Sequence, residues 1–184
     1  MPPAVACIPR GRRCAGPALP ALSSIGAKMS HPHRYQATLH WTGAAQDPTS
    51  GHADYSRNYE ARVPGKPRLT GSADDSFRGD ASLHNPEDLL LIALAACHML
   101  SHLAECARGG VRVVAHEDEA HGTMALQGGR MRFTDVLLRP KVTIDGASHP
   151  DAALRLHKKA HEECFIANSV NVPVRLEPSI VAAQ

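Results

Sequence analysis

The chain has no CxxC pair, no apolar run long enough for a bilayer and, in its first 28 residues, no acidic side chain. Its five cysteines, Cys7, Cys14, Cys97, Cys106 and Cys164, are odd in number and widely spaced. That pattern excludes a secreted disulfide framework and fits a reducing, cytoplasmic compartment, where the question becomes which thiols react. The longest apolar run, "LLLIALAACHML", falls short of the ~20 residues a membrane span needs, so a core helix and no membrane are expected. A net charge of +2 is too small to imply nucleic acid, and no internal repeat is visible. The acid-free leader, residues 1–28, is rich in Pro, Ala, Gly and Arg. It shows no strand or helix period. Its prolines speak against an amphipathic targeting helix and its apolar stretch is short for a secretory signal. We expect a disordered tail or a start at Met29, followed by a single domain over 29–184.

What is present is a globular composition, 43% apolar and 21% charged, over 184 residues, enough for one domain with a real core. Partial alternation over 34–43, 54–65 and 67–73 predicts three strands, and 74–84 a polar loop. The sequence "NPEDLLLIALAACHMLSHLAECARGG" predicts a helix over 85–110. Asn85 suits the N-cap, Pro86 the first turn, and Glu87 and Asp88 the positive end of the dipole. Gly109-Gly110 ends it. It should be buried on most sides. Residues 111–126 and 130–145 alternate around "QGG" and predict an antiparallel pair. A second helix is expected over 149–170 and a closing strand over 172–181. The order β-β-β-α-β-β-α-β is an α+β architecture. Its first helix is more apolar than one sheet can cover, which makes a homodimer plausible.

Cys97 sits about ten residues into the first helix. Burial alone would make it ordinary packing. Cys106, nine residues on, faces the opposite side and reads as packing. Cys164 lies near the end of the second helix, away from any helix N-terminus, so it would act as a partner rather than the first nucleophile. His157, His161 and Cys164 fall at i, i+4 and i+7. They could ligate a metal together with Cys97, although a solvated histidine stripe is the plainer reading of that spacing and of the twelve histidines at large. Glu87 is accounted for by the helix dipole. A straight helix puts it ~15 Å from Cys97. Any working pair between them needs a kink, a folded loop or another subunit.

"NPEDLLLIALAACHML" and "AHEECFIANSV", with "YSRNYE", "GSADDSFRGDASLHNPE" and "EDEAHGTM", resemble the OsmC/Ohr family, the osmotically inducible and organic hydroperoxide resistance proteins, over roughly residues 33–180. "ACHM" and "CFIANS" look closer to its OsmC-like branch than to typical Ohr sequences. The resemblance implies an intertwined homodimer with sheets wrapped around long central helices and two active sites at the interface. It also implies a thiol-dependent peroxidase needing no cofactor or metal. Carried over by position, Cys97 is the peroxidatic thiol, Cys164 the resolving thiol, Glu87 the glutamate of Asn-Pro-Glu, and Arg57 the arginine of the N-terminal sheet region.

The chemistry expected of these residues turns on ionisation. A free thiol, pKa ~8.5, is only a few per cent ionised at pH 7, and burial suppresses it further, so a cation has to offset burial. Arg57, oriented by Glu87, would do so. Leu91, Leu94, Met99 and Leu100 would wall the site and favour an organic hydroperoxide. An external dithiol, a lipoyl-protein or another thiol donor, would restore the thiols. The alternative is a non-enzymatic binding module that takes a small ligand or metal in the interfacial pocket. His98, one residue on from Cys97, is assigned no role.

Overall fold

The computed structural model describes residues 32–45 and 48–183. The leader, with Cys7 and Cys14, lies outside them. Residues 32–35 carry no regular structure, and the folded unit begins at Gln36.

The first sheet is a three-stranded antiparallel meander, β1 (Thr38–Trp41), β2 (Tyr59–Arg62) and β3 (Leu69–Gly71), with Trp41 opposite Tyr59 and Tyr59 opposite Gly71. These strands are shorter than the alternation suggests. The approach to β2 is spent on turns, and Trp41 Nε1 donates to the Ser56 carbonyl across them.

α1 (Pro86–Arg108) starts where the sequence says. The Asn85 side chain accepts from the Asp88 N–H, and the Asp88 carboxylate accepts from the Asn85 N–H, a reciprocal cap. Pro86 gives up no hydrogen bond at the first position, and Gly109 closes the helix. β4 (Val113–Gln127) and β5 (Arg130–Ile144) form a long antiparallel hairpin. Its two-residue turn is Gly128-Gly129, with φ of 58° and 76°, the left-handed pair such a turn requires.

α2 (Pro150–Glu162) then crosses over, and the chain returns parallel to β5 as β6 (Val174–Leu176) and β7 (Ser179–Ala182). The single strand expected over 172–181 is therefore two, parted at Glu177-Pro178, where proline has no N–H for the ladder. β5 is the central strand, and Val136, Leu138, Val142 and Ile144 on it are fully buried. Pro140 stands in its middle opposite Asp118, whose carboxylate accepts the N–H of Arg139.

The helices join the larger sheet through two clusters. Cys106, Val111, Val142, Ile144 and Ala153 form one. Leu94, Val136 and Leu138, flanked by Leu91, Phe133 and Ile166, form the other. Gly122 lets α1 approach β4: a Cβ there would stand 2.9 Å from Leu91 Cδ2 and 2.6 Å from Phe133 Cε1. Leu94 has no exposed surface. Leu94→Ala is expected to cost about 2–5 kcal/mol, read as a lower urea midpoint with unchanged slope.

Two expectations need correction. The 23-residue α1 is long and apolar enough by composition to cross a membrane, longer than its central apolar run implied. Yet its inward face, with His98, His102 and Glu105, packs as a core helix. Nor is it buried on most sides within one chain. The sheet and α2 cover one stripe, while Ile92 and Leu100 remain 52% and 62% exposed.

Candidate redox site

Cys97, Leu100, Ser101, Ala104 and Arg108 recur at three- and four-residue intervals along the outer stripe of α1. With Glu162, Glu163, Phe165 and Asn168 they line a cavity of about 510 Å³. Cys97 is half-buried in its wall.

Cys164 is not on the second helix, which ends eight residues earlier than expected. The Glu163 N–H closes α2 onto the carbonyls of Lys159 and His161, and the chain turns. The turn is held by its own polar groups. Asn168 N–H donates to the Cys164 carbonyl (3.0 Å), Asn168 Nδ2 to the Glu162 carbonyl (2.9 Å), and Ser169 Oγ to the Phe165 carbonyl (2.7 Å). Cys164 is thereby fixed at 1% exposure behind the cavity wall. Burial pushes its thiol up to about 11, opposed by the Ala167 N–H. The neighbouring Cys97 thiol adds to the rise, and Cys97 lines one cavity with Glu163 and Phe165, the residues on either side of Cys164. Cys106 is also buried. Its thiol is pushed up to about 11, first by burial and then by Glu105, in keeping with packing.

Arg57 and Glu87 are also brought together, but elsewhere. They share a cavity of about 250 Å³ with Tyr59, Ser72, Asp74 and Phe77. The Arg57 guanidinium donates to the carbonyls of Tyr55 and His52, and its Cζ lies 3.8 Å from the Tyr55 ring centroid. Within one chain, then, the two thiols and the arginine with its glutamate stand at separate cavities.

The cation in the thiol cavity is Arg108, which sequence reasoning missed. It pairs with Glu105 and stands 3.7 Å from Glu163. Glu105 is fully buried and also takes Lys159 at 2.5 Å. That hydrogen bond first, and Arg108 after it, hold its carboxyl below the usual range. The i, i+3 spacing of Glu105 and Arg108 was visible in the sequence; the reach of Lys159 across from α2 was not. Of the four residues expected to wall Cys97, only Leu100 lines its cavity. Leu94 is committed to the core and Leu91 to the β4 side of α1. Phe165 and Ala104 supply the remaining apolar wall.

The histidines depart most from expectation. His98, His102 and His157 are buried, at 0%, 0% and 2% exposure, rather than lying on a solvated stripe. His98 Nε2 and His157 Nδ1 share a hydrogen bond of 3.0 Å, and His102 Nε2 donates to the Ala153 carbonyl at 3.1 Å. The His102 and His157 rings stack at 3.6 Å between centroids, 6° from parallel. Ring nitrogens donate in the plane of the ring, so stacked imidazoles do not converge on one ion. Among the described residues no three His, Cys, Asp or Glu side chains form a metal shell. The expected alternative of His157, His161 and Cys164 as ligands therefore loses its geometric basis. The i, i+4 face that suggested it is the buried face of α2.

Residues 79–179 match the sequence profile of the OsmC-like protein family. The chain is 32% identical over 101 residues to the uncharacterized protein YmaD of Bacillus subtilis (strain 168), across 52% of this chain and 67% of that protein. An OsmC-like protein of unknown function from Vibrio cholerae O1 biovar eltor has a similar structure. It is 29% identical, with a TM-score of 0.75 over 80% of this chain and all of that one. An organic hydroperoxide resistance protein from Elizabethkingia anophelis is 15% identical, with a TM-score of 0.59 over 84% of this chain and 100% of its own. At that identity the likeness concerns the fold alone.

Proposed function

Because the chain belongs to the OsmC-like protein family, we propose that it is a thiol-dependent peroxidase that reduces organic hydroperoxides to alcohols. The observation that carries this reading is the placement of Cys97, open to a cavity, beside Glu163 and Phe165, which flank the buried Cys164.

The Cys97 thiolate attacks the distal peroxide oxygen. The O–O bond breaks, the alkoxide leaves and takes a proton as the alcohol, and Cys97 becomes a sulfenic acid. Cys164 then displaces hydroxide from that sulfur, giving a Cys97–Cys164 disulfide and water. An external dithiol, such as a lipoyl-protein, reduces the disulfide by two exchange steps and leaves as its own disulfide. This last step suits the cytoplasm, where dithiols are kept reduced.

A second copy completes the site. The exposed apolar side chains Ile92 and Leu100 on α1, and Leu39 and Trp41 on β1, support a homodimer. In that dimer the partner's half-site, Arg57 and Glu87, stands beside Cys97. The guanidinium stabilises the thiolate, and Glu87 orients it. Leu100, Ala104 and Phe165 favour an alkyl or acyl chain over hydrogen peroxide.

Cys164→Ser is expected to consume about one equivalent of hydroperoxide rapidly and then not to turn over, because no disulfide forms for the dithiol to reduce. Intact mass should show Cys97 carrying two or three oxygens as peroxide is raised. Sustained turnover with a dithiol in this variant would remove Cys164 from the mechanism.

A further inference from the structure

Five imidazoles on three elements lie against one another: His98 and His102 of α1, His157 and His161 of α2, and His116 of β4. We propose that this cluster is an acid-sensitive latch, closed when neutral, whose protonation parts α2 from α1 and draws Cys164 away from Cys97.

The cluster is poor in hydrogen bonds. His98 Nδ1, both nitrogens of His116, His157 Nε2 and His161 Nδ1 are buried with no partner among the described residues, as is Asp118 Oδ2. The rings are therefore held mainly by stacking, with one bond between rings, His98 to His157, and one to the backbone, His102 to the Ala153 carbonyl. That packing tolerates neutral imidazoles and penalises charged ones.

Nothing facing the cluster offers enough compensating charge. From α1 come Cys106, which lies against His102, and Glu105, which is already paired with Lys159 and Arg108. From α2 come Lys159, a cation, and Cys164 at the helix end. From β4 comes Asp118, one oxygen of which accepts the Arg139 N–H of β5. One carboxylate is left to five imidazoles. Two protons on His102 and His157, 3.6 Å apart, would repel with no counter-ion between them.

Linkage sets the direction of the response. Burial, reinforced by the neighbouring imidazoles, lowers His98 to about 4 and His157 to about 3. Burial also lowers His102 and His116, and raises Asp118. Once opened, an imidazole returns to its ordinary value near 6.5. The opened form thus binds more protons throughout the window between those values, and falling pH favours it, by roughly 10²-fold per imidazole at pH 4.5. His98 neighbours Cys97 in sequence, and His161 lies in the last turn of α2, three residues before Cys164. Opening there separates the sulfurs before the long β4–β5 hairpin is disturbed. The consequence for turnover rests on the peroxidase reading; the latch itself does not.

Hydrogen exchange of the full-length reduced chain, corrected for the intrinsic pH dependence, tests it without any activity assay. Between pH 7 and pH 4.5, amides of α2 and residues 163–170 should lose protection by roughly 10²-fold or more while β4–β5 amides keep theirs. His157→Asn stays neutral and keeps an amide facing His98. It should retain most of that protection at pH 4.5. Unchanged α2 protection in the wild type, simultaneous loss in the hairpin, or the same pH profile in His157→Asn overturns the latch. If His157→Asn fails to fold, the imidazole signals of the wild type decide. At least two of His98, His102, His116 and His157 must titrate together with the loss of protection, and a cluster that stays neutral while α2 opens overturns it.

Discussion

Cys97→Ser is expected to lose organic hydroperoxide consumption by on the order of 10³-fold or more in the presence of a dithiol, with no burst of alcohol in a single turnover. The size of the effect comes from the chemistry. Serine conserves shape at a half-buried position, but its hydroxyl is not an anion near neutral pH and is a poor nucleophile toward peroxide oxygen. The cavity walls, Leu100, Ala104 and Phe165, are untouched by the change, so substrate still enters. Stability should scarcely move, because one sulfur in a cavity wall carries little of the core. A variant that folds and binds yet does not react is the signature of a nucleophile. Residual turnover within tenfold of wild type would show that another thiol performs the chemistry. The buried Cys106, with its thiol pushed up to about 11, is poorly suited to do so.

The second large effect concerns Arg57. In Arg57→Ala the rate of Cys97 oxidation should fall about 10²-fold near pH 7, the loss expected when some two pH units of thiolate preference disappear. The pH–rate profile should move to higher pH, so that much of the deficit is recovered in alkaline buffer. Arg57→Lys should recover only part of it, since an ammonium supplies charge without the planar fork that Glu87 would hold. A purely structural role for Arg57, through its bonds to the Tyr55 and His52 carbonyls, would lower stability without moving the pH profile.

Because Arg57 and Cys97 line different cavities of one chain, a stronger test is available. Cys97→Ser, inactive alone, and Arg57→Ala, slowed about 10²-fold alone near pH 7, should together regain activity at that pH when mixed under conditions that exchange subunits. One interface of each hybrid then holds an intact Cys97 from one protomer and an intact Arg57 from the other. Absence of any recovery in verified hybrids would mean that the two residues do not share a site across subunits.

The features legible from the sequence are those set by local chemistry. Asn85, Pro86 and Gly109 delimit α1 because capping is decided within a few residues. Gly128-Gly129 announced the hairpin for the same reason. Cys164 was placed on a helix because "CFIANSV" continues the apolar period, whereas the bonds of Asn168 and Ser169 to preceding carbonyls make a turn. That competition between side chain and helix has no signature in periodicity.

The imidazole cluster did leave a trace. Leu94, His98, His102 and Cys106 share one stripe of α1, and Ala153, His157 and Ala160 share one of α2. Read by polarity, histidine belongs outside. Read by position, it falls among the most buried residues of each helix. What no single stripe reveals is that the two face each other, or that Glu105 finds Lys159 across the gap. The same limit applies to the thiols. The resemblance singled out Cys97 and Cys164, but their nearness depends on α1 meeting the segment after α2, which is a tertiary fact.

The most direct test of the thiol mechanism is disulfide mapping after one equivalent of an organic hydroperoxide is added to the fully reduced protein. The mechanism predicts the loss of two hydrogens per chain and a single linked peptide pair joining Cys97 to Cys164 within one chain, with Cys106 left as a free thiol. Persistence of both thiols, or a stable oxygen adduct on Cys97 beside an unreacted Cys164, would contradict it.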